Sequence, residues 1–277
     1  MDPIARMVAA GAAGVSGDSG PLYVDDVFST DLYEGNGGSH TINNGIDLSG
    51  KGGLLWTKSR NNQDNGYSDT FNRIRDTELQ RLHYTNSTAA STLSGYQTTF
   101  NSNGFTDSYG WSSGNEIVTW TFRKAPGFLD IVTWSGDTTD GRQIPHDLGS
   151  APGMVIIKRT DSGGGGTHDS WHTFHRSEPT KYGALDSSRT FSSTVGGGYN
   201  MPEVFGDSSS TIIPDANNIT VSRFQNRSGA SYIAYIFAHN DQRFGTNSDE
   251  AIIKCGSYTG AANTVNSVEL GFEPQWL

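Results

Sequence analysis

DLGSAPGMVIIKR, residues Asp147 to Arg159, decides the fold because the chain carries it in three versions. Upstream, IDLSGKGGLLWTKSR (Ile46 to Arg60) aligns with it, so that Gly53 answers Gly153 and Lys58 answers Lys158. At the C-terminus ELGFEPQWL aligns again, with Leu270-Gly271 answering Leu148-Gly149 and Pro274 answering Pro152. Each version has an acidic residue, a leucine, a glycine-bearing turn and an apolar run. A short apolar run bounded by Gly and Pro reads as a buried strand entered from a tight turn. Pro152 and Pro274 suit the turn and have no N–H to give a sheet. The chain is therefore a tandem array.

The units extend outward from this stretch. VFSTDLYEGNGG, LDIVTWSGD and IIKCGSYTG precede the three versions, with Tyr33-Glu34-Gly35, Trp134-Ser135-Gly136 and Tyr258-Thr259-Gly260 in register. Two endings also match. IVTWTFRKA puts Val118, Trp120 and Phe122 on one face of a strand, and YIAYIFAHN puts Ile233, Tyr235 and Phe237 on one face in the same phase. Such alternation marks half-buried strands, and the matched aromatics are expected to fill the same core site twice. The middles diverge and are polar and Gly-rich, as surface loops on a shared scaffold are.

Composition agrees with many short strands. Glycine contributes 35 of 277 residues, and only 17% of residues are charged. The reading is all-β: tandem antiparallel β-sandwich repeats preceded by a short N-terminal helical segment. The expected division is 1–22 for that segment, 23–128 and 129–250 for two repeats, and 251–277 for the start of a third. The third stops inside its apolar strand, from which the natural protein is expected to continue. In the opening segment Asp2 and Pro3 suit a helix start, and Ile4, Met7 and Val8 fall on one face. Those three are the candidate anchor for docking into a larger assembly.

The net charge of −10 disfavours a nucleic-acid partner, which needs clustered Lys and Arg, and equally an anionic membrane surface. No apolar run reaches the ~20 residues of a membrane span. The single cysteine, Cys255, excludes an intrachain disulfide and is read as a small buried strand residue.

No reaction centre emerges. His168, His172 and His175 cannot converge from one strand, since His175 points away from the other two. Asp25-Asp26, Asp137 with Asp140, and Asp64 with Asp69 lack EF-hand spacing. Asp76, Glu78 and Glu116 are nominal carboxylates for glycoside hydrolysis with nothing to bring them together. There is no GxSxG, and Gly163 to Gly166 lack the GK[ST] of a phosphate loop. No catalytic residue, metal or cofactor is assigned. Tyr96, Tyr109, Trp111 and Tyr199, aromatics near polar residues in the variable loops, are the candidate glycan-facing side chains.

Several phrases together carry a family resemblance: YVDDVFSTDLYEGNG, TINNGIDLSGKGGLLWTKSR, WTFRKAPGF, GSAPGMVIIKRT, IKCGSYTG and LGFEPQWL. They resemble repeat-containing virion proteins of marine tailed bacteriophages, of tail or tail-fibre-like type, over nearly the whole chain after Leu22. The repeats of that family are in turn similar to concanavalin-A-like, SPRY-like jelly-roll domains, whose sandwich an aromatic final strand closes. The resemblance implies a non-enzymatic virion component, a tail fibre or appendage used in host attachment. It would be held to other virion proteins through its N-terminus. A carbohydrate-binding receptor module and a capsid decoration protein are the alternatives. Fibre proteins bundle identical chains, so a homo-oligomer is expected, a trimer being one arrangement; the sequence does not set the symmetry. A host surface glycan is the expected external partner.

Overall fold

The computed structural model describes residues 20–61, 72–91, 98–109, 111–161, 169–188, 190–195, 199–262, 265–274 and 276. The fold is all-β. The first copy of the unit holds β1 (Phe28–Glu34), β2 (His40–Asn43), β3 (Gly53–Ser59), β4 (Asn72–Asp76), β5 (Leu82–Tyr84), β6 (Thr98–Asn101), β7 (Gly104–Asp107) and β8 (Glu116–Arg123). The second holds β9 (Leu129–Ser135), β10 (Arg142–Pro145), β11 (Met154–Arg159), β12 (His172–His175) and β13 (Tyr182–Ala184). It continues through β14 (Thr194–Val195), β15 (Tyr199–Asn200), β16 (Asn218–Val221) and β17 (Ser231–Phe237). Among the described residues the helical elements are single turns: α1 (Val24–Val27), α2 (Leu48–Lys51), α3 (Met201–Val204) and a 3-10 turn at Arg223–Gln225.

The two copies have the same topology. The first forms a five-stranded sheet in the order β1-β8-β3-β4-β5, and the second one in the order β9-β17-β11-β12-β13. Every neighbouring pair in both is antiparallel. A small sheet covers one face of each: β2-β7-β6 in the first copy and β10-β16 in the second. Where β6 would stand in the second copy there is a single bridge between Phe205 and Val221. Matched glycines explain why the copies turn alike. A side chain on Gly35 would run into the Ser112 carbonyl, and one on Gly136 into the Arg227 carbonyl. Both glycines donate their N–H across the sheet at 2.8 Å, to Asn115 and Ala230 respectively.

One core lies between the copies. Leu54, Trp56, Ile74 and Phe122 of the first five-stranded sheet pack with Ile131, Ile156, Tyr235 and Phe237 of the second. Each small sheet then encloses a core of its own: Ile46, Leu48, Leu55 and Phe105 in the first copy, and Trp134, Ile144, Val155, Ile157, Tyr232 and Ile236 in the second. Four sheets are thus stacked. The first central sheet carries buried Thr57, Arg73, Thr119 and Thr121 beside Leu55 on the face towards its own small sheet, and the second is apolar on both faces along its central strand. β17 shows this directly, with Tyr232, Ala234 and Ile236 turned to its own small sheet and Ile233, Tyr235 and Phe237 turned to the other copy. The matched aromatics fill equivalent places, Trp120 and Phe122 from one copy and Tyr235 and Phe237 from the other meeting in the core between them. Alternation reports that a face is buried, and is the same whichever sheet covers it.

Residues 251–277 differ from the strand expected there. No described residue of this segment is in a strand, and Cys255 is half-buried rather than a strand residue. The physical reason is pairing. β1 and β9 are held by the final strand of their own copy, β8 and β17, and the segment brings no such strand. The turn itself persists, Gly271 at φ +86° matching Gly149 at φ +78°. Trp276 lies against Phe122, Trp56 and Trp120, with ring centroids 5.6, 6.2 and 6.3 Å away.

Candidate functional site

Among the described residues, the candidate aromatics Tyr109 and Trp111 form no sugar platform. Trp111 is 0% exposed, which corrects its reading as a glycan-facing side chain. Its indole donates to Asp107 Oδ2 at 2.8 Å, an atom that also accepts from the Tyr33 hydroxyl at 3.1 Å. The Arg73 guanidinium lies 4.1 Å from the Tyr109 ring centroid and 4.4 Å from that of Trp111, and 3.7 Å from Asp107. Burial, then Asp107, pushes the Tyr33 phenol well above its ordinary pKa. The indole, the cation and the carboxylate satisfy one another inside the first copy, which removes Trp111 from solvent. Tyr109 is half-buried against it. Tyr199 pairs with Val195 through its backbone. Its side chain, together with Tyr96, Ile4, Met7, Val8, His168, Asp64, Asp69 and Gly163 to Gly166, lies outside the described residues.

The other candidate groups are held in separate places. His172 packs against Tyr182 and His175 against Phe191, on opposite faces of β12. Asp137 accepts from Thr139 N and Asn226 Nδ2, and Asp140 from Ser208 and Arg223 N. Asp26 accepts from Tyr23 N. Glu78 pairs with Lys124 and Glu116 with Arg60. Asp76 lies at the end of β4, level with Phe122, so Glu116 is six residues along β8 from it, about 20 Å of extended chain. These carboxylates share no cleft. Among the described residues no group of three or more His, Cys, Asp or Glu is placed to hold a metal.

Two polar features do stand out. The first is a set of bonds joining the copies. Asp76, 0% exposed, accepts from the Tyr235 hydroxyl at 3.0 Å and lies 3.4 Å from His83 Nε2. Lys158, 1% exposed, donates to the Thr88 carbonyl at 2.9 Å and to the Asp169 carbonyl. Trp171 donates to the carbonyls of Tyr84 and Ser87, both at 3.1 Å. Burial lowers the Lys158 ammonium to about 8, and raises the Tyr235 phenol well above its ordinary value.

The second is a cleft of about 440 Å³ in the mouth between β9 and β10, where the two sheets of the second copy part. Val132, Trp134 and Ile144 line it, with Lys124, Asp130, Arg142, His146 and Asp147 around them. Asp130 accepts from Ile131 N and Asp147 N, each at 2.8 Å, and pairs with Lys124 at 3.2 Å. Burial alone would lower the Lys124 pKa, but Asp130 and Glu78 outweigh it and hold the ammonium above its ordinary value. Arg142 donates to the Ser135 carbonyl at 2.7 Å. None of these residues was singled out as a site from the sequence. The signal available was Asp130, a carboxylate in the inward phase of LDIVTWS where Val132 and Trp134 are apolar.

No curated protein and no solved structure matches the chain. One family model does, and it spans both copies and the segment after them. That model is described as "Domain of unknown function (DUF7483)", it matches residues 24–277, and the chain belongs to that family.

Proposed function

We propose that the chain is a non-enzymatic virion protein, a tail fibre or tail appendage held to the particle through its N-terminal segment and used in host attachment. The observation that carries this reading is the reuse of one β-unit, twice in the same topology, locked face to face through a shared core. A unit repeated and fused in this way is building material, and contacts between neighbours set the shape of the whole. The acidic, polar exterior suits an exposed appendage. The phrase-level resemblance to tailed-phage virion proteins supports a virion location, and other copies of the chain are its expected companions.

Labelling intact particles with an antibody raised against residues 23–250 tests the reading. Decoration of the tail supports it. Decoration of the head would make the chain a capsid decoration protein instead, and particles that never bind the antibody would refute a virion role. Deleting Met1 to Gly17 should abolish incorporation; normal incorporation would remove the anchoring role of Ile4, Met7 and Val8. Glycan recognition is the second reading, and the cleft between β9 and β10 favours it over the aromatics first considered.

A further inference from the structure

We infer that the cleft between β9 and β10 binds a neutral, hydroxyl-rich chain, an oligosaccharide segment. The inference deepens the host-attachment part of the proposal. Its test is separable, since particle labelling reads location and the measurement below reads binding.

The size and lining fit. The volume, about 440 Å³, falls within the range of small-ligand sites. Half-buried Val132 offers apolar surface to the C–H face of a sugar, backed by Ile144 and Trp134, which are 3% and 7% exposed; Trp134 stacks on Tyr232 at 5.2 Å and 11°. Both walls are edge strands. The ladder bonds Phe128 to Ala238 and Gly136 to Ala230, so the alternation turns the N–H and C=O of Thr133 away from β17. By the same count His146 bonds Asn217, and Gln143 turns its N–H and C=O outward from β10. Pro145 occupies the next outward position, where no N–H is required.

The charges choose between occupants. A peptide strand adding to β9 would need its outward backbone groups, and three side chains already hold them. Asp130 accepts from the Ile131 N–H, while Lys124 and Arg142 donate to the carbonyls of Ile131 and Ser135. Charged guards of this kind protect an edge from strand addition. The rim also balances, Lys124 and Arg142 against Asp130 and Asp147, so neither a polyanion nor a polycation is favoured. Backbone and side-chain donors and acceptors with no net charge, and Val132 among them, match a chain of hydroxyls. At the matching place in the first copy the Tyr33 and His40 rings meet across β1 and β2, their centroids 5.2 Å apart.

The test is an amide-resolved NMR titration of the whole chain with maltohexaose and with cellohexaose, up to about 10 mM because single-site sugar binding is weak. The expected result is a saturable shift confined to residues 130–134 and 142–147 with at least one of the two. Val132→Phe, which fills the cleft, should weaken it by about tenfold or more. Gln143→Pro removes an outward N–H and the side-chain amide from an edge strand, breaks no ladder bond, should fold normally, and should also weaken binding. No shift with either sugar, shifts located elsewhere, or undiminished binding by both variants would overturn the inference. So would an oligogalacturonate binding the cleft where the two neutral chains do not.

Discussion

Lys58 and Lys158 occupy the same place in the repeated unit, yet one is exposed and the other is 1% exposed between the copies. The difference has a measurable sign. Burial depresses the Lys158 ammonium to about 8, against 10.5 for the free side chain. Between those values the unfolded chain binds more protons, so this lysine makes stability rise with pH, by about 3 kcal/mol at most. Below pH 8 it is charged in both states and adds no slope. The Cys255 thiol, pushed up to about 11 by burial, and the raised Tyr235 phenol act in the opposite direction at higher pH. The comparison with Lys158→Met isolates the lysine: urea unfolding at pH 8, 9 and 10 should show a smaller rise, or a steeper fall, in the variant. Parallel profiles would show that the ammonium is not buried. Tyr235→Phe leaves Asp76 short of a donor inside the stack and should cost about 1–3 kcal/mol at pH 7 by the same assay. A loss well below that range would mean that Tyr235 and Asp76 do not meet.

At the scale of elements, the turns that start each unit's second strand are constrained alike in the two copies. Gly35→Ala and Gly136→Ala should each lower stability by about 1–3 kcal/mol, because both meet a facing carbonyl in the same way. If only one did so, the copies would not share that turn. These glycines were legible in the sequence because the turn recurs with its neighbours, Tyr33 and Trp134. The strands were legible for the same reason: TWTF and AYIF alternate in one phase. What covers those faces was not legible, since Phe122 and Phe237 read alike whether they meet their own small sheet or the other copy. Trp111 beside polar residues resembles a sugar platform until Arg73, distant in sequence, is found against it. The cleft was hidden for a related reason: its walls, β9 and β10, belong to different sheets, and no local pattern encodes the gap between them. The third version of the unit has a strand's pattern without a strand's partner.

For the whole molecule the consequence is cooperativity. The first copy buries Leu54, Trp56, Ile74 and Phe122 only by meeting the second, and Asp76, Thr88, Tyr84 and Ser87 are bonded by side chains from across the interface. Removing that partner would expose a continuous apolar sheet face, which monomeric proteins rarely tolerate. Phe122→Ala, at the centre of the shared core, should therefore destabilise both copies together, by about 3–5 kcal/mol. The most direct test is differential scanning calorimetry of the whole chain. One transition, with calorimetric and van 't Hoff enthalpies equal, is the expected result for two copies built as a single body. Two separated transitions, or a van 't Hoff enthalpy near half the calorimetric one, would show that the copies unfold independently and would contradict the shared core.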